Sequence, residues 1–181
     1  MLKSTACRSL GLRWRGCSRY LRKFPARNAF SKWAQPSAIR QFGWGAAGPK
    51  GKVTYTDGDP ANAQRAQEYF RRAGVARRIN VQVGDALELL KKTPGKFDLI
   101  FNDVNKHQYP NALRAALPKL RRGGFFITDN TLWSGKAARP AAPDDAATLG
   151  VQEFNRLVYA SKELYTVLIP LRDGVTVCRK L

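Results

Sequence analysis

Acidic residues are missing from the first 56 positions of this chain, which carry twelve Lys or Arg. At an ordinary acidic content of roughly 12%, so long an acid-free stretch has a chance on the order of a thousandth. The remaining 125 residues hold all thirteen acids and a net charge of only +7, against +19 for the whole. The two parts therefore follow different rules, and residues 1–48 are read apart from residues 49–181.

Other scarcities narrow the function classes. Three cysteines, Cys7, Cys17 and Cys178, are odd in number and fit no zinc spacing, so neither a disulfide framework nor a zinc module is indicated. They read as free thiols in a reducing compartment. There is one histidine, His107, and it is first a surface or packing residue. No apolar run reaches the ~20 residues of a membrane span. A length of 181 residues suffices for one core and one domain.

What is present centres on residues 97–106, FDLIFNDVNK. Leu99, Ile100 and Phe101 make a short apolar run suited to a buried parallel strand. It ends abruptly in Asn102, Asp103, Asn105 and Lys106. Residues 125–130, FFITDN, repeat the pattern, ending in Asp129 and Asn130. In an open α/β sheet the ligand crevice lies outside the carboxyl ends of the strands. Two neighbouring strand ends would bring Asp103, Asp129 and Asn130 to one point. Three hard oxygen ligands suit Mg²⁺ better than zinc. Lys106 would stand beside the ion as a base. The bland reading of all four is that they cap strand ends.

The rest of the chain supplies an α/β alternation. Residues 53–57 read as a strand ending in Asp57, a position that in mononucleotide-binding folds accepts hydrogen bonds from ribose hydroxyls. A solvated turn acid is the alternative. Asp59 and Pro60 then start a helix, whose Ala63, Ala66, Phe70 and Ala73 face the sheet. Gly74 closes it. Residues 79–83 are a strand followed by Gly84-Asp85-Ala86. Leu87, Leu89 and Leu90 are core. Tyr109 and Pro110 open a helix with Leu113, Ala116, Leu117 and Leu120 inward. Lys119, Arg121 and Arg122 form a solvated basic helix end. Residues 132–145 are a loop above the proposed metal site. Residues 146–162 are a helix, and residues 165–170 and 175–179 form a hairpin around Asp173-Gly174. Asp173 is a turn residue first and a substrate-side residue second.

Residues 43–48 spell G-x-G-x-x-G. A nucleotide-binding turn follows a strand and opens a helix. Here the next strand begins within about five residues, too soon for a crossover helix. The match is read as chance.

FDLIFNDVNKHQYP followed by GGFFITDNTLWSGK resembles the cation-dependent O-methyltransferases, which include catechol and caffeoyl-coenzyme A O-methyltransferases. The likeness takes in VTYTDGDPANAQRAQEYFRRAGVARRINVQVGDALELL and PLRDGVTVCRKL, about residues 50–181. It implies a doubly wound, Rossmann-like, mostly parallel sheet with a C-terminal antiparallel hairpin. It implies S-adenosylmethionine as cofactor and Mg²⁺ or another hard divalent cation. By this resemblance Asp103, Asp129 and Asn130 are metal ligands and Lys106 the general base. Asp57, Gly84, Asp85, Ala86 and Asp103 are cofactor residues. The substrate is a small phenolic or catechol-type hydroxyl, and a homodimer is implied as well. Asn105 departs from the family's usual Asp, and Asn102 from its usual apolar residue. Methyl transfer to oxygen needs the hydroxyl held in near-attack geometry, and a cation can activate that hydroxyl while a neighbouring amine takes its proton.

The likeness fails before about residue 48, where the family's first strand and glycine loop find no counterpart. They are expected to be missing or replaced, with a weak hold on the methionine end of the cofactor. Four readings of residues 1–48 stand: a transit peptide, a basic arm for nucleic acid or an anionic surface, a start shifted out of the family's reading frame, and a structural extension. The compartment follows as cytoplasmic, or mitochondrial under the transit reading. A non-catalytic basic protein that binds nucleic acid on a degraded methyltransferase fold is the rival function, with nucleic acid the less favoured partner and no membrane.

Overall fold

The computed structural model describes the backbone of Ala26–Lys32 and of residues 47–181, and side chains from Gly51 onward. Among the described residues seven strands form one sheet. They are β1 (Ala26–Lys32), β2 (Ala47–Asp57), β3 (Ile79–Val83), β4 (Phe97–Asn102), β5 (Leu120–Asp129), β6 (Leu164–Ile169) and β7 (Val175–Lys180). Their order across the sheet is β3-β2-β1-β4-β5-β7-β6. The first five strands run parallel, and β7 and β6 close the sheet antiparallel. Four helices connect them: α1 (Pro60–Arg72), α2 (Ala86–Lys92), α3 (Tyr109–Ala116) and α4 (Ala146–Ala160).

Neighbouring residues of the central strands point to opposite faces, as a period of two requires. Ile100 and Phe126 join Leu90, Leu113, Val151 and Phe154 on the face covered by α2, α3 and α4. Phe101 and Ile127 join Tyr55, Ala66 and Phe70 on the face covered by α1. The sheet is doubly wound, as its apolar strand runs imply.

Local starts are as the residues suggest. Asp59 accepts a hydrogen bond from Ala61 N at 2.8 Å, and Pro60 occupies the first turn of α1. Ala63, Ala66 and Phe70 are buried, but Ala73 is exposed, because the helix stops at Arg72. Asn102, polar in a buried strand, lies 3% exposed and donates to Thr128 Oγ1 at 3.4 Å.

A second expectation is corrected. The family's first strand is not missing. The backbone of residues 26–32 forms β1 in the middle of the sheet, with Ala29 opposite Val53 on one side and Leu99 on the other. Its sequence, ARNAFSK, has few of the branched residues that mark a buried strand, and pairing on both edges imposes the conformation. The 1–48 and 49–181 division therefore does not follow the sheet. The segment that would hold the glycine loop, residues 33–46, lies outside the described residues, as do residues 1–25. Gly48 already belongs to β2, so the last glycine of the G-x-G-x-x-G string opens no helix.

Candidate functional site

The reversal of strand order falls between β1 and β4. In doubly wound sheets the crevice at that point, outside the carboxyl ends, receives ligands. The expected site residues collect there in two groups.

The first group ends β2 and β3. Asp57 is 5% exposed. Its Oδ2 accepts from Tyr55 OH at 2.9 Å, and its Oδ1 accepts from Asp59 N at 2.9 Å. Each carboxylate oxygen retains capacity for a further hydrogen bond. Tyr55 stays a neutral phenol, its pKa raised first by burial, then by the hydrogen bond to Asp57 and by that carboxylate's charge. Gly84 N donates to the Asp57 carbonyl at 2.8 Å, which ties the turn after β3 to the end of β2. Gly84 has φ of 143°, a conformation that favours glycine. Asp85 caps α2 by accepting from Leu87 N at 2.9 Å and Glu88 N at 3.0 Å. Its capping role is thus present, whatever else it does. Ala86 is buried.

The second group ends β4 and β5. The parallel register sets Asn102 opposite Thr128, so Asp103, just past β4, and Asp129, the last residue of β5, lie side by side. Lys106 sits on a short 3-10 turn, Lys106–Gln108, between β4 and α3. Its side chain is only 13% exposed. Its Nζ lies 3.4 Å from Asp103 Oδ1, 2.9 Å from Asn130 Oδ1 and 2.6 Å from Tyr109 OH. It also lies 4.9 Å from the centre of the Tyr109 ring and 5.6 Å from that of Trp133. Asp129 turns its Oδ1 to accept from Asn130 N at 2.8 Å. Asn130 takes φ of 56°, the left-handed backbone that Asn tolerates best among side-chain-bearing residues.

The loop beyond is braced by the hairpin. Thr131 N donates to the Gly174 carbonyl at 3.1 Å and Leu132 N to the Asp173 carbonyl at 2.9 Å. Ser134 N donates to Asp173 Oδ1. Thr176 Oγ1 donates to Thr131 Oγ1 at 2.8 Å, both side chains fully buried. Asp173 is thus a turn residue that also supports the site loop. Trp133 Nε1 donates to Thr148 Oγ1 at 3.2 Å, which fixes the indole beside Lys106. His107 is exposed, as a surface residue would be.

Sequence reasoning missed Tyr109. It reads there as a helix opener, yet it is fully buried and its hydroxyl joins Lys106 to the Asp129 carbonyl, 2.7 Å away. The available signal was its spacing: three residues after Lys106, on the same side of one helical turn.

Among the described residues no three His, Cys, Asp or Glu side chains gather as a metal set. The donor set at the strand ends is two carboxylates and one amide. Asp103 Oδ1 and Asn130 Oδ1 already converge on one cation, the Lys106 ammonium. Hard oxygens disposed around a positive centre fit a hard divalent ion chemically. Among the described residues no helix is long and apolar enough to cross a membrane.

The caffeoyl-CoA O-methyltransferase of Mesembryanthemum crystallinum is 31% identical over 142 residues, covering 72% of this chain and 56% of that protein. Caffeoyl-CoA O-methyltransferase 5 of Nicotiana tabacum is 31% identical over 144 residues, with 72% and 59% covered. The chain thus spans less than two thirds of the length of these relatives. Among solved structures, the O-methyltransferase TomG of Streptomyces achromogenes, involved in tomaymycin synthesis and in complex with SAM, superimposes with a TM-score of 0.80. It is 26% identical, with 90% of this chain and 77% of that one covered. An O-methyltransferase of Bacillus cereus in complex with SAH gives 0.79 at 21% identity, with 92% and 81% covered, and speaks for the fold alone. The O-methyltransferase family profile matches residues 45–181, the stretch that carries both groups of site residues, and the chain belongs to that family.

Proposed function

We propose that this chain is an S-adenosylmethionine-dependent O-methyltransferase that acts, with a divalent cation, on a hydroxyl of a small phenolic or catechol-type molecule. The single observation that carries the reading is the convergence of Lys106 Nζ, Asp103 Oδ1 and Asn130 Oδ1 at the ends of β4 and β5. The relatives named for caffeoyl-CoA and the neighbour named in complex with SAM support it.

Asp57 would accept hydrogen bonds from the cofactor ribose, and the Gly84–Ala86 turn would line its adenine. Asp103, Asp129 and Asn130 would hold the cation. When bound, the cofactor supplies an electrophilic methyl group and the cation lowers the pKa of a hydroxyl at its side. Lys106 would take that hydroxyl's proton: the O–H bond breaks and an N–H bond forms. The ammonium so produced has acceptors in place at Tyr109, Asn130 and Asp103. Trp133, beside the Lys106 amine, would help keep water from it.

The test is transfer of a labelled methyl group from S-adenosylmethionine to catechol or caffeoyl-CoA by the full chain. Transfer should require Mg²⁺ and stop with a chelator. Asp129→Ala should abolish it and weaken Mn²⁺ binding measured by calorimetry. Transfer that survives chelation would remove the cation from the proposal. Absence of transfer to any phenolic acceptor would remove the substrate class.

A further inference from the structure

We propose that Tyr109 is a positioning residue that aims the amine of Lys106 at the substrate hydroxyl. The proposal rests on the reading of Lys106 as the base. A phenol hydroxyl has one proton to give. The Asp129 carbonyl takes it at 2.7 Å. An ammonium has no lone pair, so toward Lys106 the phenol oxygen can only accept, which it does at 2.6 Å.

Asn130 Oδ1 accepts a second N–H at 2.9 Å. Both acceptors are fixed from behind. The Tyr109 ring has no exposed surface and stands edge-on to Phe154, with centroids 5.5 Å apart. The Asn130 backbone is held left-handed, with its N–H on Asp129 Oδ1. Two of the three positions on the Lys106 nitrogen are thereby assigned. The third faces Asp103, at 3.4 Å the longest of the three contacts, whose side chain is 22% exposed. On a neutral amine that third position is the lone pair. Tyr109 and Asn130 together turn it away from themselves, toward the side of Asp103, where the proposed function places the substrate hydroxyl. Without the phenol oxygen one N–H loses its anchor and the lone pair is free to swing away.

Tyr109→Phe keeps the ring against Phe154 and removes only the oxygen. Two readouts separate aim from mere stability. The first is acetylation of Lys106 by a water-soluble N-hydroxysuccinimide ester, scored by peptide mass spectrometry against Lys119, which donates to the Thr93 carbonyl and is untouched by the change. Labelling of Lys106 should rise several-fold while that of Lys119 stays constant. The second is the split of rate constants: kcat should fall by about tenfold or more while KM for cofactor and catechol stays constant, the pattern of lost alignment. Should Tyr109→Phe fail to fold, trifluorotyrosine at position 109 keeps shape and hydroxyl but weakens the acceptor, and it should also raise Lys106 labelling. Unchanged labelling in either variant overturns the proposal, as does unchanged kcat in an active protein. If the unmodified chain transfers no methyl group, the reading of function fails, and the labelling arm alone still decides the aim of Lys106.

Discussion

Gly150 of α4 lies against the backbone of Lys106: a Cβ at that glycine would stand 2.5 Å from the Lys106 carbonyl oxygen and 2.6 Å from His107 Cα. Only a residue without a side chain lets the helix touch the turn that carries the amine. The position of Lys106 is thus set from both sides, by Tyr109 at its tip and by α4 at its base.

Gly150→Ala should therefore move the turn. The neighbour is backbone and cannot rotate away, so overpacking should cost about 1–3 kcal/mol, somewhat offset by the better helix propensity of Ala. A displacement near 1 Å at Lys106 should lower turnover on the order of a hundredfold. Urea unfolding and initial rates measure the two effects. Leu149→Ala, at an exposed neighbour, is the control and should change neither much. Equal behaviour of the two variants would show that the contact does not position Lys106.

Gly174 plays the same part in the turn before β7. Its φ is 80°, and a Cβ would come within 2.5 Å of Leu132 Cγ and 2.9 Å of Leu132 N. Gly174→Ala should push the loop after Asp129 away from the hairpin that braces it. The expected outcome is a loss of at least about 1–2 kcal/mol from backbone strain alone, with weaker Mn²⁺ binding by calorimetry. Asp173→Asn retains the carbonyl that Leu132 N uses and should be milder in both measurements.

How far the chain could be read varies by element. Strands β4 and β5 were legible because apolar runs end in carboxylates at matching places. The start of α1 was legible from Asp59 and Pro60, and the β6–β7 hairpin from Asp173 and Gly174. Strand β1 was not, since Ala, Asn, Ser and Lys dominate it and its strand state comes from pairing with β2 and β4. Tyr109 was invisible for a different reason. Its role needs Lys106 folded back over one turn and a carbonyl twenty residues away. Ala73 was placed inside because periodicity does not announce where a helix stops.

Alkali should unfold the chain through its buried weak acids. Burial in the core pushes the Cys178 thiol up to about 11 from 9.0, partly offset by its hydrogen bond with Thr166. A group whose pKa is raised on folding leaves stability untouched below its unfolded value. Above about pH 9 the unfolded thiol ionises while the folded one does not, so stability falls from about pH 9 to 11. The loss from this group alone approaches about 2–3 kcal/mol. Tyr55 and Tyr109 act with the same sign and steepen the fall above the ordinary phenol range. Urea midpoints between pH 8 and 11 measure it. Cys178→Ala should flatten the section that begins near pH 9 and leave the later fall in place.

The place of β1 is open to a sharp test. Ala29 lies in mid-sheet, paired through its backbone on both edges. Proline there removes an N–H donor from an inner strand, where proline is essentially not found. A buried carbonyl left without its partner costs about 1–3 kcal/mol, and crowding against the neighbouring strand adds to it. A domain of this size has only about 5–15 kcal/mol in total. Ala29→Pro should therefore abolish cooperative thermal unfolding followed by circular dichroism, and with it calorimetric binding of S-adenosylmethionine. If residues 26–32 instead lay outside the sheet, as the composition of residues 1–48 suggests, the same substitution would leave the melting curve unchanged. Ala61→Pro, in the first turn of α1 where the ring is tolerated, is the matched control: it gives up only the exposed capping bond to Asp59, about 0.5–2 kcal/mol, and should lower the midpoint while unfolding stays cooperative.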